Sequence, residues 1–278
     1  MTSEEYCFEK AAPQGSAFYY SIQKLSITQR DTIVAIAALY QELNDIVYEC
    51  HDPALAFVKF NWWRGEILKL KTGNSDHPVI LVLQKHLQEF NLESQQFLNM
   101  LEGIEQELNL SPFPTFEDVT LHIIHTTGAR ERLIAKVLTG NEISSPENIY
   151  SFSLVIALVD YIQHLRRNVA RGFILFGADE LSRFKVTPVM LQALKTTPEL
   201  RQLLDYQFEI IERARKQALQ ELDATDSKQL NPLIFRSEIA WVTLQEIKSA
   251  DYSTMEKMIT ITPLRMWWIS YKTRLSID

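Results

Sequence analysis

The chain has 278 residues and a formal net charge of −7 at neutral pH, and this acidic balance argues against nucleic acid as a partner. Two cysteines are too few for a disulfide framework and fit a reducing compartment. No segment has the roughly 18 consecutive apolar residues of a membrane span. The acidic start, MTSEEYCFEK, lacks the apolar run of a signal peptide and the arginines of a transit peptide. We therefore expect a cytoplasmic protein.

The composition predicts one helical domain. Hydrophobic residues make up 46% and charged residues 23% of the chain, as is ordinary for a soluble globular protein. Only 8 glycines indicate few turns and much helix. Because no linker, repeat or low-complexity tract interrupts the sequence, we predict a single domain over residues 1–278. No stretch alternates apolar and polar residues with period two, so the predicted class is all-α.

Capping residues and prolines mark the predicted helix boundaries. Ser26 and Gln29 have the spacing of a capping box. A capping side chain followed directly by proline occurs at 52–53, 145–146, 187–188 and 197–198. Together with apolar residues at helical spacing, these signals predict helices at 18–25, 27–50, 53–71, 78–90, 92–108, 116–138, 146–170, 198–222, 232–249 and 262–273.

The stretch AIAALYQELNDIVYEC at 35–50 has an apolar face that Asn44 interrupts. Gln41, Asp45 and Glu49 follow one another at intervals of four and form a polar stripe beside that face. A helix that brings acidic and amide groups to the edge of its buried face is either solvated there or faces a cavity.

The same stretch resembles the first aspartate-rich helix of squalene and phytoene synthases. Further segments match the family in order: NWWRGEI at 61–67, GIEQEL at 103–108 and RGFILFGADEL at 171–181. The resemblance covers nearly the whole chain and is nearest to the bacterial presqualene diphosphate synthases. It implies an all-α isoprenoid synthase bundle around a central cavity, and an enzyme that condenses two isoprenoid diphosphates head to head with magnesium.

In that family, two carboxylate motifs face each other and hold the magnesium ions that bind the substrate diphosphate. The first motif falls here on Asn44, Asp45 and Tyr48, with Glu49 directly after it. Only Asp45 keeps a carboxylate at a position of this motif, and it is the candidate metal ligand of the first motif. Asn44 offers a neutral oxygen, whereas the phenol of Tyr48 stays protonated at neutral pH. The resemblance also places Phe18, Tyr19 and Gln41 at substrate positions, and Gln41 replaces an arginine that contacts phosphate.

The second motif falls on residues 164–168, where both aspartates are missing. His164 and Asn168 replace them, and Arg167 stands at the position of a glutamate. Asp160 lies one turn before this motif and Arg171 shortly after it.

Two interpretations of this segment stay open. In one, Asp160 and Asn168 ligate a metal together with Asp45. In the favoured one, the arginines form an internal ion network or bind an anion directly. We predict that Arg167 or Arg166 pairs with Asp45, Glu49 or another acid of the facing helix. Residues 130–132, Arg-Glu-Arg, also stand where the family has an apolar tunnel wall.

The resemblance supports two functions of different kinds. The favoured one is a family member that has lost magnesium-diphosphate catalysis and keeps the fold for a ligand-binding or assembly-factor-like role, without a cofactor. The alternative is an active transferase that condenses two farnesyl-type diphosphates with Mg²⁺. The expected partner is an isoprenoid diphosphate or another lipid-like ligand, or a protein. Nucleic acid is not expected.

The tryptophans and histidines have simpler interpretations. Trp267 and Trp268 are predicted to pack against the protein. The alternative is peripheral contact with the inner membrane surface. Trp62 is likewise predicted to be a packing residue. His122 and His125 are three apart on a helix, but we expect ordinary, partly buried histidines rather than a zinc site.

Overall fold

The computed structural model describes residues 1–50, 52–109, 113–140 and 146–275. Within these ranges the secondary structure is helical, with no strand and one isolated bridge between Phe113 and Gly177, so the all-α prediction is confirmed. The α-helices are α1 Ser3–Ala11, α2 Ala17–Ser21, α3 Ile27–Glu49, α4 Pro53–Leu68, α5 Pro78–His86, α6 Ser94–Glu105, α7 Phe116–Ile123, α8 Ala129–Thr139, α9 Pro146–Gln163, α10 Leu165–Ala170, α11 Ala178–Arg183, α12 Pro188–Gln192, α13 Pro198–Gln220, α14 Ala224–Gln229, α15 Asn231–Ser249 and α16 Pro263–Leu275. Shorter 3-10 turns are Lys69–Lys71, Gln106–Asn109 and Ser253–Met255.

The capping signals predicted the helix starts well. Ser26 Oγ accepts the backbone N–H of Gln29 at 3.2 Å, and Asp52 accepts that of Ala54 at 2.9 Å ahead of Pro53. Such bonds satisfy amides that have no partner inside the helix. The predicted cap at Ser145 lies outside the described residues.

The helix prediction was wrong near the amino terminus in two respects. The helix predicted at 18–25 covers only Ala17–Ser21, and an additional helix, α1, precedes it. Helix α1 starts with a capping box in which Thr2 and Glu5 exchange hydrogen bonds.

The predicted long helix at 146–170 is interrupted at His164. This residue has φ −101° and ψ 18°, so its backbone leaves helical geometry and separates α9 from α10. The break lies within the second motif. The side chains of α10 therefore point in directions that a continuous helix would not give them.

The predicted helix at 116–138 contains a π-helical turn, Ile124–Gly128, between α7 and α8. Gly103 of α6 packs against this turn so closely that a Cβ there would lie 2.5 Å from the carbonyl oxygen of His125. The turn also separates two histidines that the sequence places close together: His122 is buried and His125 is exposed. Single π turns often occur at functional sites.

Two hydrophobic clusters flank the centre of the molecule. Helix α3 supplies one of them and packs against α1, α5 and α8. Helix α9 supplies the other and packs against α13, α15 and the π turn. The space between α3 and the α9–α10 segment is the central cavity.

Three tryptophans that were predicted to pack against the protein are partly exposed instead. Trp62, Trp267 and Trp268 are about half exposed, at 49%, 53% and 49%. The rings of Trp267 and Trp268 stack on Tyr271 on the surface. In the described part of the chain, no helix is long and apolar enough to cross a membrane.

Candidate functional site

A cavity of about 460 Å³ lies between α3 and the α9–α10 segment. The two helix segments that carry the motif positions face each other across it, as predicted from the sequence. The cavity wall includes Gln41, Asn44, Asp45, Tyr48 and Glu49 from α3, and Asp160, His164, Arg167, Asn168 and Arg171 from the opposite side.

Two predicted site residues do not line this cavity. Phe18 lies beneath the guanidinium of Arg236, whose Cζ is 5.1 Å from the ring centroid. The ring of Tyr19 meets that of Tyr20 edge to face at 5.5 Å. Both belong to α2, which packs against α15 and α16.

The carboxylate of Asp45 is already engaged by its neighbours. Lys10 Nζ lies 2.7 Å from Asp45 Oδ2 and 3.1 Å from Glu42 Oε1, and Gln41 Nε2 donates to Asp45 Oδ1 at 2.7 Å. Burial alone would lower the pKa of Lys10, but its hydrogen bonds to Asp45 and Glu42 outweigh burial and raise this pKa. Lys10 therefore stays charged and occupies the carboxylate that a metal would need.

The predicted ion pair between the second-motif arginines and Asp45 or Glu49 is wrong. Arg166 instead donates to the backbone carbonyl of Met255 at 2.8 Å. Among the described residues Arg167 forms no ion pair. Lys10, on a helix that the sequence did not predict, satisfies Asp45 in its place.

Arg167 and Arg171 both lie over the ring of Tyr48. Their Cζ atoms are 5.0 and 5.4 Å from its centroid, within the range of a cation–π contact. Burial is the main cause that raises the pKa of the Tyr48 phenol, and the carboxylate of Glu107 adds to it. Tyr48 is therefore a neutral phenol at physiological pH and a poor magnesium ligand.

Asp160 pairs with His164 rather than with a metal site. His164 Nδ1 lies 3.3 Å from Asp160 Oδ1. The hydrogen bond to Asp160 is the main cause that raises the pKa of His164. The main causes that lower the pKa of Asp160 are the hydrogen bond from His164 and the charges of His164 and Arg167. The Asp160 side chain is 61% exposed, consistent with a position on the wall of an open cavity.

A buried ion triad stands behind the cavity, where the resemblance implies an apolar tunnel wall. Glu131 is fully buried and accepts from Arg236 at 2.6 and 2.5 Å and from Arg130 at 2.9 and 2.6 Å. Two guanidiniums share one carboxylate, so the triad carries a net charge of about +1 by this count. Arg130 also lines the cavity and lies over the ring of Tyr40 at 4.3 Å. The sequence indicated Arg130 and Glu131 but gave no sign of Arg236, which is 105 residues away.

The sequence also missed the pair Glu107 and His122, which line the cavity. Glu107 Oε1 lies 3.1 Å from His122 Nε2, and both residues are buried. Their other polar atoms, Glu107 Oε2 and His122 Nδ1, have no hydrogen-bond partner in the structure, and neither does Asn168 Oδ1. The matching segment GIEQEL contains Glu107, but the sequence does not show that this side chain lies on the cavity wall.

The residues present do not fit the magnesium that the fold family implies. Mg²⁺ requires near-octahedral oxygen ligands, including carboxylates. Asp45 is held by Lys10, and Tyr48 is a neutral phenol flanked by two guanidiniums. No group of three or more His, Cys, Asp or Glu side chains in the described residues is placed to hold a metal ion.

Solved structures with the same fold identify the architecture. A dehydrosqualene synthase in complex with ligand has a TM-score of 0.86 at 15% identity, over 99% of this chain and 96% of the other. The squalene synthase HpnC from Alicyclobacillus acidocaldarius has a TM-score of 0.76 at 15% identity, over 90% and 95%. The protein therefore has the all-α isoprenoid synthase fold.

Sequence comparison then gives the family. The family model for squalene/phytoene synthase matches residues 11–267. Phytoene synthase of Arthrospira platensis is 24% identical over 227 residues, covering 77% of this chain and 72% of the relative. Phytoene synthase 2 of Zea mays is 22% identical over 260 residues, covering 90% and 64%. The chain belongs to the squalene/phytoene synthase family.

Proposed function

We propose that this family member has lost magnesium-dependent diphosphate chemistry and uses its cavity to bind a ligand without converting it. The observation that carries the proposal is the state of the two motifs. The remaining first-motif carboxylate, Asp45, is held by Lys10, and Arg167 occupies a carboxylate position of the second motif.

The physical argument concerns the departure of diphosphate. In a metal-assisted reaction, magnesium neutralises the charge that develops on the leaving group. Cations fixed in the wall, here Arg167 and Arg171, repel a divalent ion from the same space. A site without the metal retains affinity for an anion but lacks this activation of the leaving group.

The size and lining of the cavity support the same conclusion. A volume of about 460 Å³ is in the range for one drug-sized ligand, whereas head-to-head condensation requires two isoprenoid chains. The resemblance implies an apolar tunnel wall at this point, but the wall carries Arg130 of the ion triad. Burying an apolar chain against this guanidinium would remove its remaining hydration without compensation.

Calorimetric titration with Mg²⁺ and farnesyl thiodiphosphate, a slowly reacting analogue, tests the proposal. It is combined with a product assay using labelled farnesyl and geranylgeranyl diphosphates. We expect no magnesium-dependent heat and no product, while the Arthrospira platensis phytoene synthase, run in parallel, serves as the positive control. Magnesium-dependent binding accompanied by product would establish the alternative, an active prenyl transferase.

One observation favours a second role, as a docking component for another protein. Helix α4 exposes Leu55, Phe57, Val58 and Trp62 at 48%, 45%, 63% and 49%, and Leu55, Val58 and Trp62 share one helix face at intervals of three and four, a grouping of exposed apolar residues that can mark an interaction site. A photo-crosslinking residue at Val58 should yield a defined protein adduct in cells. The same group at Val189, an exposed position on α12, is the matched control. Equal labelling from both positions would count against this role.

A further inference from the structure

One side of the cavity offers two guanidiniums without an anionic partner. Arg167 and Arg171 are exposed and contact the face of Tyr48, and neither forms an ion pair among the described residues. A guanidinium has five N–H donors in a planar fork that suits a carboxylate or phosphate. The ring of Tyr48 holds the two guanidiniums close together. Because they contact the face of the ring, their N–H donors stay available for a ligand.

Elsewhere, the cavity wall offers acceptors without donors. Asn168 is 1% exposed and Glu107 is 7% exposed, and both line the cavity. Within the described part of the chain, Asn168 Oδ1 and Glu107 Oε2 have no hydrogen-bond partner. A buried acceptor without a partner has lost its hydrogen bond to water without compensation, so a group that donates a hydrogen bond to it is stabilised in this position. Hydroxyl and ammonium groups have that property, and an isoprenoid chain does not.

The remaining wall mixes apolar side chains, among them Ile123, Ile156 and Phe173, with further polar groups. Tyr40 and Thr127 join their hydroxyls at 3.0 Å, and Arg130 adds a charge from the buried triad. A ligand that fills this cavity therefore meets polar groups around an anion site. These contacts favour a molecule that carries hydrogen-bond donors in addition to its anionic group.

We propose that the cavity binds a small hydrophilic anion without a metal. Its phosphate monoester or carboxylate lies against Arg167 and Arg171, and its hydroxyl or ammonium groups donate to Asn168 and Glu107. This inference rests on the proposed function, because it requires that no magnesium-bound diphosphate occupies the site.

Thermal melts and calorimetry in the presence of EDTA test the ligand class with three probes. Glycerol 3-phosphate carries a phosphate and two hydroxyls, glycerate carries a carboxylate and two hydroxyls, and decyl phosphate carries a phosphate on an apolar chain. We expect at least one polar probe to bind at least about tenfold more tightly than decyl phosphate. The comparison of the two polar probes identifies the preferred anion. Binding of decyl phosphate as tightly as the polar probes, or no binding of the polar probes at millimolar concentration, would overturn the inference.

Two variants locate the binding. Arg171→Gln changes an exposed side chain and should weaken the polar probe by at least about tenfold, whereas Arg213→Gln, on the surface of α13, should not. Asn168→Leu removes the unpartnered acceptor. It should weaken binding while leaving the melting temperature unchanged or higher, because the unpartnered buried oxygen Asn168 Oδ1 has been removed and the amide keeps only a long bond of 3.5 Å to the carbonyl of Tyr161.

A purely structural Asn168 predicts the reverse, a lower melting temperature with unchanged binding, and that result would contradict the assignment. Unchanged binding in Arg171→Gln would do the same even if the Asn168 variant did not fold. Because every measurement is made without magnesium, failure here is distinct from failure of the proposed function. The latter is decided only by magnesium-dependent binding and turnover of isoprenoid diphosphates.

Discussion

Glu180 is a buried carboxyl outside the cavity whose environment favours its protonated form. Its Oε2 accepts the backbone N–H of Gly177 at 3.1 Å and its Oε1 accepts Nε2 of Gln207 at 2.7 Å. Burial raises the pKa of Glu180 from 4.5 to about 7, despite these two hydrogen bonds. The folded protein therefore binds this proton more tightly than the unfolded chain does, and it loses stability as the pH rises from 4.5 to about 7.

We predict that Glu180→Gln flattens this part of the pH profile. The amide is neutral at every pH and can still accept from Gly177, so the variant should be more stable than the unmutated protein above neutrality. The upper bound is about 3 kcal/mol. Urea unfolding at mildly acidic and mildly alkaline pH measures the difference, and Glu117→Gln, an exposed position, is the control. Parallel pH profiles for the Glu180 variant and the unmutated protein would contradict the prediction.

The pair Asp160 and His164 combines two dependences on pH, because the pKa of His164 is raised and that of Asp160 is lowered. The raised pKa of His164 means that its stabilisation is fully present below the ordinary value of 6.5 and is lost as the pH rises through the raised value. The lowered pKa of Asp160 means that its own stabilisation is present above 3.8 and is lost as the pH falls through the lowered value. The pair therefore stabilises the fold in the mildly acidic range.

His164→Gln should consequently lower the melting temperature most in mildly acidic buffer and least in alkaline buffer. Melts of the variant and the unmutated protein across this range provide the measurement. His125→Gln, at an exposed position on the π turn, should give a small difference at all pH values. A deficit in the His164 variant that grows with pH would show that the imidazole acts in its neutral form.

At the scale of elements, the ion triad joins α8 to α15. Glu131 is fully buried between Arg130 and Arg236. Both arginines hold the pKa of Glu131 below its ordinary value against the effect of burial. Because each charge depends on the others, the cost of removing one member is dominated by the charges that it leaves behind.

We predict that Glu131→Gln destabilises the protein by about 3–5 kcal/mol, since the buried Arg236 and the largely buried Arg130 lose their carboxylate. Replacing all three residues with apolar ones, as Arg130→Met, Glu131→Leu and Arg236→Met, should restore most of this loss. Chemical denaturation of both variants provides the comparison. If the triple variant is less stable than Glu131→Gln, hydrogen bonding in the triad contributes more than its desolvation costs.

The elements also explain which features could be predicted from sequence. Caps such as Asp52 ahead of Pro53 act within one turn, so the local sequence is sufficient to predict them. The break at His164 has no glycine or proline to announce it, and the π turn depends on the approach of Gly103 to His125. The partner of Asp45 was missed for a related reason: Lys10 reaches it only through the packing of α1 on α3.

At the scale of the whole molecule, the chain has the isoprenoid synthase fold, while the residues at its motif positions differ from the carboxylates that the resemblance implies. The helix segments that carry the two motifs line one cavity, in a fold with a TM-score of 0.86 to a dehydrosqualene synthase. The sequence therefore predicted correctly that these two helix segments line one cavity. Its charges could not be predicted in the same way, because they depend on which distant side chains meet there.

This separation predicts that magnesium binding can be restored by side chains alone. Asn44→Asp and Tyr48→Asp complete the first motif, Lys10→Ala releases Asp45, and Arg167→Glu returns a carboxylate to the second motif. We expect this combined variant to be stabilised by magnesium with pyrophosphate. The gain should be about 3 kcal/mol when the free ligand is at 100 times its dissociation constant. The control keeps Arg167 and should respond less, because its guanidinium repels the ion. Failure of the combined variant to bind magnesium, if it remains folded, would mean that the backbone of the cavity no longer has the spacing required for a metal-diphosphate site.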